Sequence, residues 1–123
     1  MRRLLPVVSW ILADGSLRSL GREFVPLLAA IAARGSLAAA ARERSLSYRG
    51  AWGMIEAAER ATGARFVILE RGRGARLARA GERLVEADAR MRDLLGSEMA
   101  ALFVPARVNW PPTKRFVPIP SNA

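Results

Sequence analysis

The side chains able to do chemistry in this chain are cations and small hydroxyls. Ser47-Tyr48-Arg49-Gly50 and Arg71-Gly72-Arg73-Gly74-Ala75-Arg76 combine guanidinium groups, hydroxyls and glycines in two short stretches. A guanidinium is a planar fork of donors that fits a phosphate or the edge of guanine. A serine ahead of a helix caps it, and the helix N-terminus attracts phosphate. Alternating Arg-Gly supplies charge with backbone freedom, which suits a phosphate or a minor groove. A solvated turn fits the same string, and the string is too short to argue for RNA.

Other chemistries are excluded by missing residue types. The 123 residues include no cysteine and no histidine. A thiolate zinc site, a disulfide scaffold and a cysteine nucleophile all need the first. A Ser-His-Asp triad and a His-ligated metal need the second. Gly72 and Gly74 lack the Gly-Lys-Ser/Thr and the strand-to-helix context of a nucleotide loop. The carboxylate pairs Glu56/Glu59 and Glu82/Glu86 stand beside arginines, so ion pairs along a helix explain them better than catalysis. No enzyme, metal or cofactor is expected.

Charge points the same way. Twenty basic residues against 11 acidic ones give a net charge of +9, which favours a polyanionic partner. Nineteen of the 20 are arginine, with Lys114 the exception, but that bias alone also follows from a genome rich in G and C. The apolar fraction of 51% is enough for a core. The N-terminal run Leu4–Ala13 resembles a short signal peptide, but Pro6 and Ser9 break it, and it is too short to span a membrane. A cytoplasmic location and no membrane partner are expected.

The elements that position these residues follow from periodicity and caps. Val7–Ala13 reads as an edge strand and Asp14-Gly15-Ser16 as a turn. Phe24, Leu27, Leu28 and Ile31 mark a helix that starts near Glu23 or Phe24, with Pro26 in its first turn and Arg34-Gly35 ending it. Ser36 caps a short alanine-rich helix, Leu37–Glu43, and Arg44-Ser45-Leu46 is a tight turn. Ser47 caps a third helix from Tyr48 to about Ala61, stopped by Thr62-Gly63. Its inward face is expected to hold Ala51, Trp52, Ile55, Ala58 and Thr62; Arg49, Gly50, Gly53, Ala57 and Arg60 lie opposite. Arg65–Glu70 and Ala75–Leu77 read as a hairpin around Arg71–Gly74. A fourth helix from Arg79 or Gly81 to Leu95 or beyond carries Leu84, Val85, Ala87, Met91, Leu94 and Leu95 as its stripe, with an interruption at Gly96. Five of the seven prolines follow Val104.

Helix, short helix, tight turn, helix, hairpin and long helix is the order of a winged helix-turn-helix. The fold expected is mainly α with a small β wing and a long C-terminal dimerisation helix. It divides into residues 1–78 as the winged domain with an N-terminal strand, 79–103 as a linker and dimerisation helix, and 104–123 as an extended or disordered Pro-rich tail.

Gly35-Ser36-Leu37-Ala38-Ala39-Ala40-Ala41 followed by Leu46-Ser47-Tyr48-Arg49-Gly50-Ala51-Trp52 resembles the DNA-binding domain of the ModE family of molybdate-responsive regulators. Arg71–Leu77 and Ala80-Gly81-Glu82-Arg83-Leu84 are similar to the wing and linker helix of that family and of LysR-type regulators. The resemblance covers about residues 7 to 95. The wing is shorter than in ModE and closer to LysR style, and Ala78-Arg79 stands where these families usually have Thr-Pro. The residues after Leu95 leave no room for a molybdate-binding domain, so molybdate is not expected to bind this chain.

The resemblance implies a transcriptional regulator that binds duplex DNA as a homodimer. The DNA-contacting candidates are Ser36, Ser47, Tyr48, Arg49, Gly50, Gly53, Arg71, Arg73 and Arg76. Each has a plainer alternative. Ser36 and Ser47 can be simple caps, and Tyr48 can pack with an exposed hydroxyl. Arg49 reads guanine, clamps phosphate or is solvated. Gly50 and Gly53 let the helix backbone approach DNA closely, serve helix packing or are drift; they also leave few side chains to read bases. The rival functions are a LysR-type regulator fragment and a winged-helix module that binds protein.

Overall fold

This computed structural model describes residues 9–109, with side chains as far as Ser97. The described chain falls into two units, divided between Met91 and Arg92.

The described part of the first unit opens on a loose hairpin rather than the expected strand. Of the expected Val7–Ala13 strand, Val7 and Val8 lie outside the described residues, and the remainder makes one isolated bridge, Ile11 to Ser19. Asp14-Gly15-Ser16 turns the chain straight back, so the segment pairs with its own return and, among the described residues, joins no larger sheet. The Ser16 N–H donates to the Asp14 carboxylate at 2.9 Å, and hydrogen bonds from Ser16, its side chain foremost, hold that carboxyl below the usual range. Trp10 and Leu20 of the hairpin pack against the core. Trp10 Nε1 donates to Asp88 Oδ1 at 2.9 Å, and Asp88 is only 5% exposed.

Helix α1 spans Phe24–Arg34, with Pro26 inside its first turn, where its missing N–H leaves no intrahelical bond unmade. Phe24, Leu27, Leu28 and Ile31 are fully buried, as their spacing requires. Gly35 ends the helix at φ +68°, and its N–H donates to the Ile31 carbonyl. Helix α2 is Leu37–Glu43, with Ala40 and Ala41 buried against its neighbours. The turn after it is a Schellman motif. Leu46 N–H reaches back to the Ala41 carbonyl at 2.8 Å and Ser45 N–H to Arg42, with Ser45 at φ +58°.

Helix α3 is Tyr48–Thr62, closed by Gly63 at φ +73°. Its buried face is Ala51, Ile55 and Ala58, with Trp52 half-buried. Thr62, expected inward, is exposed; its hydroxyl donates to the Ala58 carbonyl and accepts from Ala64 N–H, which closes the helix end instead. Strands β1 (Val67–Glu70) and β2 (Gly74–Leu77) pair antiparallel, with Val67 opposite Leu77 and Leu69 opposite Ala75. Their inward residues Val67, Ala75 and Leu77 join the core, while Phe66 meets Phe24 edge-on at 5.1 Å between centroids.

Helix α4 runs Arg79–Asn109. Ala78 offers no capping side chain, yet the helix starts here: Ala78 N–H is held by the Phe66 carbonyl at 2.8 Å, and Glu82 lies in the first turn. Within the first unit Leu84 and Val85 pack on the core, and Met91 is exposed. The expected break at Gly96 does not occur; one interior glycine costs about 1 kcal/mol, which good helix formers on both sides offset. Residues 104–109, expected in an extended tail, are helical, with Pro105 inside the helix. The rest of that tail, 110–123, lies outside the described residues. Among the described residues, no helix is long and apolar enough to cross a membrane.

Helix α4 approaches the hairpin closely at Gly81, where a Cβ would collide with the Phe66 carbonyl. Gly81→Ala is therefore expected to destabilise by about 1–3 kcal/mol, although alanine is the better helix former. Urea unfolding measures it; an increase in stability would contradict the close approach.

Candidate nucleic-acid interface

Helix α3 presents its outer face because its inner face is small and apolar. Ala51 and Ala58 let α1 and α2 come close, while Ile55 fills the space between. At 100° per residue, Arg49, Gly53, Glu56 and Arg60 fall within about 60° of one another on the other side, and all four are exposed. Ser47 caps this helix: its Oγ accepts from Gly50 N–H at 2.9 Å. Ser47 is exposed, so the start of α3 is open to a ligand as well as capped. Ser36 caps α2 in the same way, accepting from Ala39 N–H at 3.2 Å, and is half-buried. Tyr48 is 54% exposed, so its ring is not a core element.

The two glycines of α3 separate. A Cβ at Gly50 would lie 2.9 Å from the capping Ser47 Oγ, a local reason for glycine there. A Cβ at Gly53 would meet nothing within 4 Å. Packing within the first unit therefore does not account for Gly53.

The hairpin carries Arg71, Gly72 and Arg73 at its tip, all exposed, with Arg73 N–H closing the turn onto the Glu70 carbonyl at 3.0 Å. No ion pair or side-chain hydrogen bond holds Arg71, Arg73 or Arg49 among the described residues. Arg76 differs. Its Nε donates to Glu70 Oε1 at 2.6 Å across the hairpin, so part of its charge is already answered within the wing.

Three contacts, none legible in the sequence, fix the wing against the helices. The Glu59 carboxylate accepts from Phe66 N–H at 2.7 Å and Val67 N–H at 3.3 Å, tying the end of α3 to the entry of β1. This corrects the expectation of an ion pair along the helix: Glu59 serves two backbone donors instead. Ala75 N–H donates to the Gly35 carbonyl at 2.9 Å, binding β2 to the corner between α1 and α2. Gly74 stands beside that bond at φ +85°, where a Cβ would strike the same carbonyl. Glu56 also lacks the expected ion pair; among the described residues nothing bonds its carboxylate.

A cleft of about 470 Å³ lies between the N-terminal hairpin and α4, lined by Trp10, Leu20, Phe66, Arg79 and Arg83 among others. It includes none of the expected site residues. Among the described residues, no cluster of acidic side chains is placed to hold a metal.

No model of a known protein family matches the chain. Among characterised proteins it is similar to the molybdenum-pterin-binding protein MopB of Rhodobacter capsulatus, 44% identical over 72 residues. That match takes in 55% of this chain and 27% of MopB, so the chain spans about a quarter of that relative's length. Among solved structures, the CbnR_DBD–DNA complex superposes with a TM-score of 0.57 at 25% identity, over 68% of this chain and 95% of that one. Full-length CbnR complexed with its target DNA gives 0.57 at 26% identity, over 69% of this chain and 29% of that one. ArgP from Mycobacterium tuberculosis gives 0.55 at 25% identity, over 68% of this chain and 31% of that one. CbnR is a LysR family transcriptional regulator. The chain is thus mainly helical with a small two-stranded wing, the winged-helix fold of the LysR-type regulators it resembles.

Proposed function

We propose that this chain is a DNA-binding transcriptional regulator that holds duplex DNA as a homodimer. Helix α3 enters the major groove and the wing tip lies along the backbone or in the minor groove. One observation carries this function: exposed arginines without partners among the described residues, Arg49 on α3 and Arg71 and Arg73 on the wing, mark both DNA-facing elements of a fold solved on DNA in CbnR. Ser36, Ser47 and Tyr48 supply helix N-termini and hydroxyls for phosphate, Gly50 and Gly53 let the helix backbone approach DNA closely, and Arg76 adds what charge Glu70 leaves it.

Within this class we favour a ModE-like regulator. The support is the Ser47-Tyr48-Arg49-x-Ala51-Trp52 run and the likeness to MopB. A LysR-type regulator is the second reading, favoured by the three-residue wing tip and by the LysR-type structures above. The dimer element is the long helix from Arg79, whose Met91 and Leu94 are exposed. Residues 1–78 then act as the reader and 79–103 as the linker.

Sedimentation velocity of the chain, alone and with a labelled duplex, tests the assembly. A dimer alone and two chains per duplex are expected. A monomer at high micromolar concentration, or a duplex that sediments unaccompanied, would contradict it.

Gly53→Ala tests the close approach of α3 to DNA. Stability is expected to rise by about 1 kcal/mol, because alanine is the better helix former and open space receives its methyl. Duplex affinity is expected to fall in the same variant. Unchanged affinity would show that the backbone at 53 does not approach DNA.

A further inference from the structure

Glu56 is a carboxylate on the face of α3 that the proposed function turns toward a polyanion. It lies on the same stripe as Arg49 and Arg60, and it is exposed. Arg60 stands one turn on, yet no ion pair joins the two. Its neighbours on that side, Gly53 and Ala57, carry no polar side-chain atom. Glu59, three residues on, is accounted for by its bonds to Phe66 and Val67 N–H. Among the described residues, Glu56 has no such bond.

A carboxylate in a major groove accepts hydrogen bonds and donates none. The groove edges of guanine (N7, O6) and the O4 of thymine are acceptors, so they repel it; the exocyclic amino groups of cytosine and adenine are donors. The nearby phosphates disfavour its charge wherever that donor is missing. We propose that Glu56 is a specificity-determining residue that requires a base with an exocyclic amino group, cytosine foremost, at one position of the DNA site. The proposal rests on the duplex-binding function above. Arg49 and Glu56 are seven residues apart, about 10 Å along the helix axis. For a helix lying along the groove, that separates the base facing Arg49 from the base facing Glu56 by about three base-pair steps.

The test is selection from a random duplex pool by the full chain, by Glu56→Ala and by Glu56→Gln. The wild-type motif is expected to hold one column restricted to cytosine or adenine. Glu56→Ala is expected to flatten that column, with about a tenfold loss of discrimination, and Glu56→Gln to move it toward adenine. Both variants are expected to bind unrelated duplex more tightly at low salt, because a negative charge is gone. A merely solvated carboxylate would give that tightening alone, with the same motif in all three proteins, and this result overturns the proposal. So does a wild-type motif with no such column. If the wild-type chain enriches no duplex, the DNA-binding function itself fails and the assignment of Glu56 falls with it.

Discussion

Substituting Arg49 and Arg73 together by glutamine is expected to weaken duplex binding by on the order of 100-fold, or about 3 kcal/mol. Arg49 is the only arginine in the first turn of α3, and Arg73 sits at the wing tip. Both are exposed, and neither bonds another side chain among the described residues. Their removal therefore leaves the core untouched, and unfolding curves should move by no more than about 0.5 kcal/mol. Fluorescence anisotropy with a labelled duplex reads the affinity loss. A double variant that folds normally and binds as the parent does would favour the protein-interaction module, in which the arginines serve only solvation. The companion pair Arg76→Gln and Glu70→Gln should cost far less affinity, because those charges answer each other across the hairpin.

Phe24→Ala is expected to remove about 3–5 kcal/mol of stability. Phe24 is fully buried and stands edge-on to Phe66, joining the first turn of α1 to the base of the wing. The loss includes the transfer free energy of the ring, the cavity left behind and the aromatic pair itself, worth about 1 kcal/mol. A domain of this size is typically stable by about 5–15 kcal/mol, so a large share of its margin would go. Urea unfolding measures it. A loss below about 1 kcal/mol would mean that α1 and the wing do not share one core.

The three short helices were legible because their signals are local. Ser36 and Ser47 cap, Gly35 and Gly63 stop, and Phe24, Leu27, Leu28 and Ile31 repeat at helical spacing. The hairpin was legible for the same reason, apart from its edges: Arg65 and Phe66 precede β1, and Gly74 opens β2. The N-terminal segment departs from the strand its residues suggest, because β-rich residues before a tight turn have no strand to join unless one lies nearby. This segment is held by Trp10 and Leu20 packing on the core and by Trp10 bonding Asp88, a bond across 78 residues that no local pattern records. Glu59 shows the same limit within the site. Beside Arg60 it reads as a surface charge, yet its carboxylate gathers two backbone N–H groups from the next element. Gly74 and Gly81 read as a turn residue and a weak helix position. Their necessity lies in carbonyls at Gly35 and Phe66, distant in sequence for Gly74 and across the hairpin for Gly81. The positions of Arg49, Arg71 and Arg73 were legible; that Arg76 is engaged by Glu70 was not.

If arginines hold this surface to duplex DNA, the duplex affinity of the unaltered chain must fall steeply as salt rises. Arg49, Arg71 and Arg73 from each of two chains would displace counterions together, giving a slope of log K against log salt of about −5. That is a loss of roughly 10³-fold between about 50 and 200 mM salt. An affinity indifferent to salt, or no binding to duplex even at about 50 mM, would contradict it.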